Sequence, residues 1–379
     1  MNPRPANTRL RRFLPLAVAV AIGAAAGAGA YALTNHNSAT PKASPLVVPA
    51  QNASSSSASS GDALTQVYKE DAPGVVDITV QLNSSASSSS GGGFPFGNPQ
   101  GSQKEAAEGT GFEIDKKGDI MTAEHVVDGA TSIKVTFQDG STASATVVGK
   151  PDKTTDTAVI HVDKPASDLH PLMLGNSSAV EPGQTVVAIG SPFGLPETMT
   201  AGIVSAVDRT ITAMNGFEIT GAIQTDAAIN HGNSGGPLID TATNTVIGVN
   251  DQILNAGDTN DNAGVGFSVP IDKSKAVAAT LIAGGTVEHA YVGVLIQTVN
   301  GGAKVTKITP GSPADKSELK VGDVVTAFDG HKITSASDLT AAVSAAKVGE
   351  KVTVTVLRDG STQQVSITLG NQPAEASTS

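Results

Sequence analysis

Cysteine is absent from the 379 residues, as is tryptophan, and aromatics make up only 3%. Without cysteine there can be no disulfide, no thiolate metal site and no cysteine nucleophile. Compartment stays open, since an exported chain can also lack it. With few aromatic rings, any core must rest on Val, Ile, Leu and Ala. Basic residues are also short: 24 Lys and Arg stand against 35 Asp and Glu, for a net charge of −11. That balance argues against a nucleic-acid surface. The length allows two or three domains.

What charge there is at the start is positive. Residues 1–12 carry Arg4, Arg9, Arg11 and Arg12 and no acid. Phe13 to Leu33 then runs without a charged residue, a length that suits a membrane span. The positive flank predicts a cytosolic N-terminus, with the remainder outside. A cleavable signal peptide is the alternative, with Ala28, Ala30 and Ala32 offering an A-x-A site. Residues 34–61 are rich in Ser, Ala, Asn and Pro and read as a flexible tether.

The rest of the chain is organised around Gln224 to Leu238, QTDAAINHGNSGGPL. Three glycines flank Ser234 within Gly232-Asn233-Ser234-Gly235-Gly236. Glycine lets a backbone turn tightly and expose its N–H groups. A nucleophilic serine needs that geometry, with N–H donors converging on the oxyanion formed when it attacks a carbonyl. It also needs a base and an orienting carboxylate. A Gly-Ser turn between two strands would look much the same in isolation.

Upstream, Asp62 is placed to cap a helix over Ala63 to Glu70, ahead of Pro73. Val75 to Leu82 has strand periodicity. Residues 83–108 form a Ser/Gly-rich insertion with Phe94-Pro95-Phe96. Gly109 to Asp115 and Asp119 to Ala123 read as a hairpin, and His125 follows at once. Among seven histidines, His36 lies in the tether, His161 inside a strand and His170 before a proline. His289 and His331 fall in later segments. His125 alone sits where a strand ends and a short turn begins, which suits a base. Strands follow at 132–137 and 143–148. Asp156 then precedes the apolar run from Ala158 to Val162, where its carboxylate can accept the histidine's other N–H. Asp152 reads as turn chemistry.

These strings resemble the HtrA/Deg family of trypsin-like serine proteases. The resemblance covers about 63–370 and rests on strings around His125, Asp156, Ser191, Ser234 and Phe267. The family usually has Asn where Glu124 stands, Leu where Thr157 stands and Pro where His231 stands. The order His125, Asp156, Ser234 is that of chymotrypsin-type enzymes. The fold class expected is therefore mainly β: two antiparallel six-stranded barrels, a C-terminal PDZ domain and the N-terminal transmembrane helix. The resemblance implies an oxyanion hole from Gly232 and Ser234, with Asn233 as a further contributor. It implies a specificity pocket with Ala228 at its base and Ile229 and Phe267 as walls. No metal or organic cofactor is implied. Misfolded exported proteins are implied as substrates, and trimeric or larger homo-oligomers as the assembly.

The protease domain is expected over 62–285. Its second half should contain strands at 185–190, 200–208, 220–225, 245–251 and 265–269, with a loop at 209–216. A helix from Asp272 to Ala283, capped by Asp272, should end at Gly284-Gly285. Residues 286–370 resemble a PDZ domain, and 371–379 form a polar tail. In that domain Ser335-x-x-Asp338 is a capping-box variant opening a helix. The resemblance assigns C-terminal peptides to a groove at Tyr291, Val292, Gly293, Val294, Leu339 and Val343.

Overall fold

The computed structural model describes residues 60–82, 106–191, 198–213, 217–230, 232–255 and 262–373. The expected membrane span at 13–33, the tether and most of the 83–108 insertion lie outside the described residues. No described helix is long and apolar enough to cross a membrane.

After helix α1 (Ser60–Asp71), six strands form a closed antiparallel barrel. They are β1 (Val75–Leu82), β2 (Ala106–Glu113), β3 (Asp119–Thr122), β4 (Ala130–Thr136), β5 (Thr142–Val147) and β6 (Ala158–Val162), in the order β1-β2-β3-β6-β5-β4. The one-turn helix α2 (Glu124–Val127) interrupts them after β3. A second closed barrel has the order β10-β11-β12-β9-β8-β7. Its strands are β7 (Thr185–Gly190), β8 (Thr198–Thr212), β9 (Glu218–Thr225), β10 (Pro237–Asp240), β11 (Thr245–Asn255) and β12 (Asn262–Pro270).

Side-chain alternation explains why some strands read as unbroken apolar runs. In β7, Val186 and Ala188 point into the second barrel, while Val187 and Ile189 join the layer between the barrels. That layer also takes Phe112, Met121 and Val159 from the first barrel. Where an outward position escapes the layer, a polar residue is tolerated. His161 on β6 lies there, half exposed, with Nδ1 2.8 Å from Asp119 Oδ1.

Helix α3 (Ile271–Ile282) packs Ile271, Val277 and Leu281 onto the same layer. The C-terminal unit is a sheet of β14 (Val294–Val299), β15 (Gly302–Ile308), β16 (Val324–Phe328), β18 (Lys351–Arg358) and β19 (Ser361–Thr368), with β17 (His331–Lys332) paired to β16. A short strand, β13 (Ala290–Tyr291), pairs with β20 (Gly370–Asn371). Helix α4 (Ala336–Ala345) covers the sheet, with Leu339 in its core. The capping box is present: Ser335 Oγ accepts from Asp338 N–H, and the Asp338 carboxylate accepts from Ser335 N–H.

Several sequence expectations shift. The first helix begins at Ser60, so Asp62 lies inside it rather than at its cap. The insertion ends earlier than 108, because β1 recruits Ala106 and Ala107 as ladder partners. Strand β8 runs on to Thr212, since β9 pairs as far as Glu218. Asp272 sits in the first turn of α3 behind Pro270, and its carboxylate instead receives Ser177 Oγ–H and Ser178 N–H. Strand β10 was not anticipated; its four residues are all buried and give no alternation to read.

Candidate active site

His125 is positioned by α2, which starts as soon as β3 ends. Its backbone N–H donates to Asp156 Oδ1 at 2.9 Å, and its ring Nδ1 lies 2.6 Å from Oδ2. The Glu124 N–H donates to the Asp156 carbonyl at 3.2 Å. One carboxylate thus fixes both the turn and the ring it carries. Asp156 itself is 1% exposed and has φ +47°, a left-handed conformation uncommon for residues other than glycine. Asp152 holds that turn. Its carboxylate accepts from Thr155 N–H and Oγ–H at 3.2 and 2.5 Å, and its backbone pairs with Thr157.

Burial pushes the Asp156 carboxyl up, but the charge and hydrogen bonds of His125 outweigh it and hold it below the usual carboxylate range. Burial pushes His125 down, yet Asp156's charge and hydrogen bond, with charge from Asp251 and Glu124, raise it to about 9. Glu124 is buried, which with Asp128's charge lifts it to about 7.

Ser234 lies on the turn between β9 and β10, against the first barrel. Here glycine is a steric necessity. A Cβ on Gly235, at φ +85°, would meet the Thr110 carbonyl and Thr122 Oγ at 2.2 Å each. Three N–H groups of the turn are engaged: Asn233 to Asn230 O, Gly235 to Asn250 O and Gly236 to Asn233 O. The Gly232 and Ser234 N–H groups have no acceptor among the described residues, and Gly232 has φ +99°. Asn233 therefore differs from the expectation: the carbonyl of Asn230 occupies its N–H. The Ser234 hydroxyl donates to the Asp251 backbone carbonyl at 2.9 Å, and among the described residues it has no hydrogen bond to His125. His231 lies outside the described residues.

Sequence reasoning missed three supports. Thr110 on β2 donates Oγ–H to Gly232 O at 2.6 Å, and its N–H to Ser234 O at 2.9 Å. Its flanking glycines, Gly109 and Gly111, were the available signal, since glycine within a strand marks close approach. Asn250 accepts from Gly235 N–H and Ser268 Oγ–H and donates Nδ2–H to Pro237 O. Asp251 is the one acid of β11, between Asn250 and Gln252. Its carboxylate oxygens lie near the pair, with Oδ1 3.9 Å from His125 Nδ1. His125, Asp156 and Asp251 are the one described group of such side chains close enough to ligate a cation. The hydrogen bonds of Asp156 to His125 already use its oxygens, which suits proton transfer.

Of the expected pocket residues, Ala228 is half-buried, and its carbonyl accepts from Thr200 Oγ–H at 2.9 Å. Ile229 is buried over Gly266, where a Cβ would lie 2.6 Å from it. Ile229 belongs to the interior of the second barrel and Phe267 to the layer between barrels.

The groove residues do come together. Tyr291, Val292, Gly293 and Val294 face Leu339 and Val343 of α4 across a cavity of about 280 Å³. Gly293 has φ +83°, and the N–H groups of Val292 and Gly293 have no acceptor among the described residues. Thr154, Phe217 and Glu218 also line it, and Thr340 Oγ donates to Glu218 at 3.2 Å.

Residues 109–249 match the trypsin-like peptidase domain family, and 290–369 match the PDZ domain family. The chain is 39% identical over 297 residues to protease Do-like 1 of Arabidopsis thaliana, covering 73% of this chain and 65% of the relative. It is 38% identical over 344 residues to a probable periplasmic serine endoprotease, DegP-like, of Halomonas elongata, covering 82% and 71%. Among solved structures, the HtrA-type protease AlgW with tripeptide has TM-score 0.68 and 29% identity, over 82% of this chain and 97% of that one. Against some curated relatives the chain spans less than two thirds of their length, 61% for a DegP-like protein of Marinomonas.

Proposed function

Because the chain belongs to the DegP/HtrA family of trypsin-like serine proteases, we propose that it is a serine endopeptidase of that type. One observation carries the reading. His125 is held by Asp156 at 2.6 Å on one barrel, while Ser234 stands on the other beside two N–H groups that have no acceptor among the described residues. In the reaction, the Ser234 hydroxyl turns from the Asp251 carbonyl to His125 Nε2. His125 takes its proton as Ser234 attacks the scissile carbonyl. The Gly232 and Ser234 N–H groups receive the oxyanion. His125 then protonates the leaving amine, and a water molecule, activated by the same imidazole, releases the acyl-enzyme. Asp156 keeps Nδ1 protonated and balances the imidazolium.

The substrates are misfolded or damaged exported proteins, cleaved without ATP, after short aliphatic residues, since no charge lies at Ala228. The PDZ groove selects peptide C-termini, with the carboxylate at the Val292 and Gly293 N–H groups. Residues 13–33 anchor the chain, placing protease and PDZ domains outside the cytoplasm. A relative named as periplasmic supports that placement. The working assembly is a homotrimer or larger.

Fluorophosphonate labelling with peptide mapping tests the nucleophile: the label is expected on Ser234. Casein cleavage should vanish in Ser234→Ala. The Ser234 hydroxyl turned toward Asp251 favours a second reading, a peptide-binding holdase with an idle triad. Unlabelled Ser234 and uncleaved casein would select it.

A further inference from the structure

Asp251 is the acid beside the triad that the mechanism leaves without a task. It sits at a β-bulge. Asn250 pairs with Ser268 and Gln252 with Phe267, so Asp251 is the extra residue on β11. A bulge re-aims a side chain, and bulges gather next to active sites. This one turns a carboxyl inward, leaving Asp251 2% exposed. Neither of its oxygens receives a hydrogen bond from a donor among the described residues. One oxygen each from Asp251 and Asp156 and one His125 nitrogen lie within 4.8 Å of one another. Two buried carboxylates side by side cannot both stay ionised; one proton settles between them.

We propose that Asp251 is a positioning residue of the triad, a neutral carboxylic acid whose Oδ–H donates to Asp156 while its backbone carbonyl takes the resting Ser234 hydroxyl. The inference rests on the protease reading of this site. A single residue then reaches both ends of the triad. Its proton steadies Asp156 beside His125, and its carbonyl parks Ser234 until substrate arrives. Asp251 transfers no proton during the reaction.

Charge supports the same arrangement. Burial, then the Asp156 charge, pushes the Asp251 carboxyl well above the ordinary carboxylate range. The groups facing Asp251 are His125 and Asp156. Glu124 stands next to these two, and Lys153 lies 3.7 Å from Glu124 and 3.2 Å from Asp128. An ionised Asp251 would add a second negative charge beside His125 and help hold it protonated, unable to act as a base. A neutral Asp251 removes that charge and leaves the imidazole free to accept the serine proton. Losing the Asp251 proton at alkaline pH sets two carboxylates against each other and displaces Asp156.

The experiment compares a Glu124→Gln parent, which removes the neighbouring titration, with Asp251→Asn and Asp251→Ala made in it. The Asn variant retains a donor to Asp156 but has no proton to lose, so the alkaline limb of kcat against pH should disappear. The Ala variant loses the donor, and its kcat should fall about ten- to hundredfold below that of the Asn variant with KM little changed. Infrared difference spectra should show a protonated-carboxyl stretch at neutral pH in the parent that the Asn variant lacks. An alkaline limb that persists in Asp251→Asn, equal kcat in Asn and Ala variants, or no carboxyl band would each overturn the proposal. If casein is untouched and Ser234 unlabelled, the protease reading fails, and the infrared band still decides the state of Asp251.

Discussion

His289 Nε2 lies 2.8 Å from Asp152 Oδ1, tying the segment before the C-terminal domain to the turn that carries Asp156. The two partners are not equal. Asp152 also receives Thr155 N–H and Oγ–H within the turn, whereas His289 makes the pair from a partly exposed site. Asp152→Ala should therefore cost about 2–3 kcal/mol of stability, because it strips a buried acceptor from several donors. His289→Ala should cost under about 1 kcal/mol, as a partly exposed pair does. Urea denaturation of both variants, with casein cleavage alongside, separates them. A larger loss in His289→Ala would show that the domain contact, not the turn, carries the energy.

Thr110 is the main tie from the first barrel to the turn that carries Ser234. Thr110→Val keeps the shape but removes the hydroxyl that donates to Gly232 O and accepts from Ser191 N–H. A stranded carbonyl and a loosened Gly232 should lower kcat about tenfold, equivalent to about 1–2 kcal/mol. Circular dichroism and kcat of the purified variant check this. Unchanged kcat would mean that the turn holds its shape without the first barrel.

Gly235 and Gly140 share a positive φ, +85° and +78°, yet they should respond differently to alanine. Nothing lies within 4 Å of a Cβ at Gly140, so only the backbone penalty of about 1 kcal/mol applies. At Gly235 the clash with Thr110 O and Thr122 Oγ adds to it. Gly235→Ala should unfold at clearly lower urea concentration and lose fluorophosphonate labelling, while Gly140→Ala keeps the label. Normal labelling in Gly235→Ala would contradict the close approach.

Stability should decline from pH 5 to pH 9. Burial, helped by Glu70's charge, raises Asp71 to about 6. Burial raises Glu113 to about 7, although the His170 N–H, Lys164 and Lys116 pull it down. Glu124 also stands at about 7. Each folded value exceeds the unfolded one near 4, so the native state binds more protons in this window and loses stability as they leave. His125, raised to about 9, acts in the same direction: its contribution is complete below about 6.5 and is lost on passing 9. Asp156 is shifted down, so its contribution is lost only in stronger acid. Glu113→Gln should recover about 1–3 kcal/mol at pH 8 and little at pH 5. Thermal melts across the range check it, and equal gains at both pH values would refute the assignment.

The sequence marked His125, Asp156 and Ser234 because each carries a local signature: a histidine after a strand, an acid before one, and a serine among glycines. The capping box of α4 was equally legible, since Ser335 and Asp338 act within one helical turn. Strand ends were less so. Where β8 stops depends on how far β9 pairs with it, and that partner lies in a different part of the chain. Which hydrophobic layer a side chain joins was not legible either: Ile229, in the turn after β9, and Phe267, on β12, enter different ones.

The amino-acid order alone determined which chemistry is available, where most of the strands lie, and that a peptidase-like unit precedes a PDZ-like one. Tertiary structure decided what supports that chemistry. Thr110 meets Gly232 across 122 positions and His289 meets Asp152 across 137, separations that no local pattern encodes. Asp251 faces His125 and Asp156 only because β11 gains one residue over its partner, a register that exists once two strands have paired.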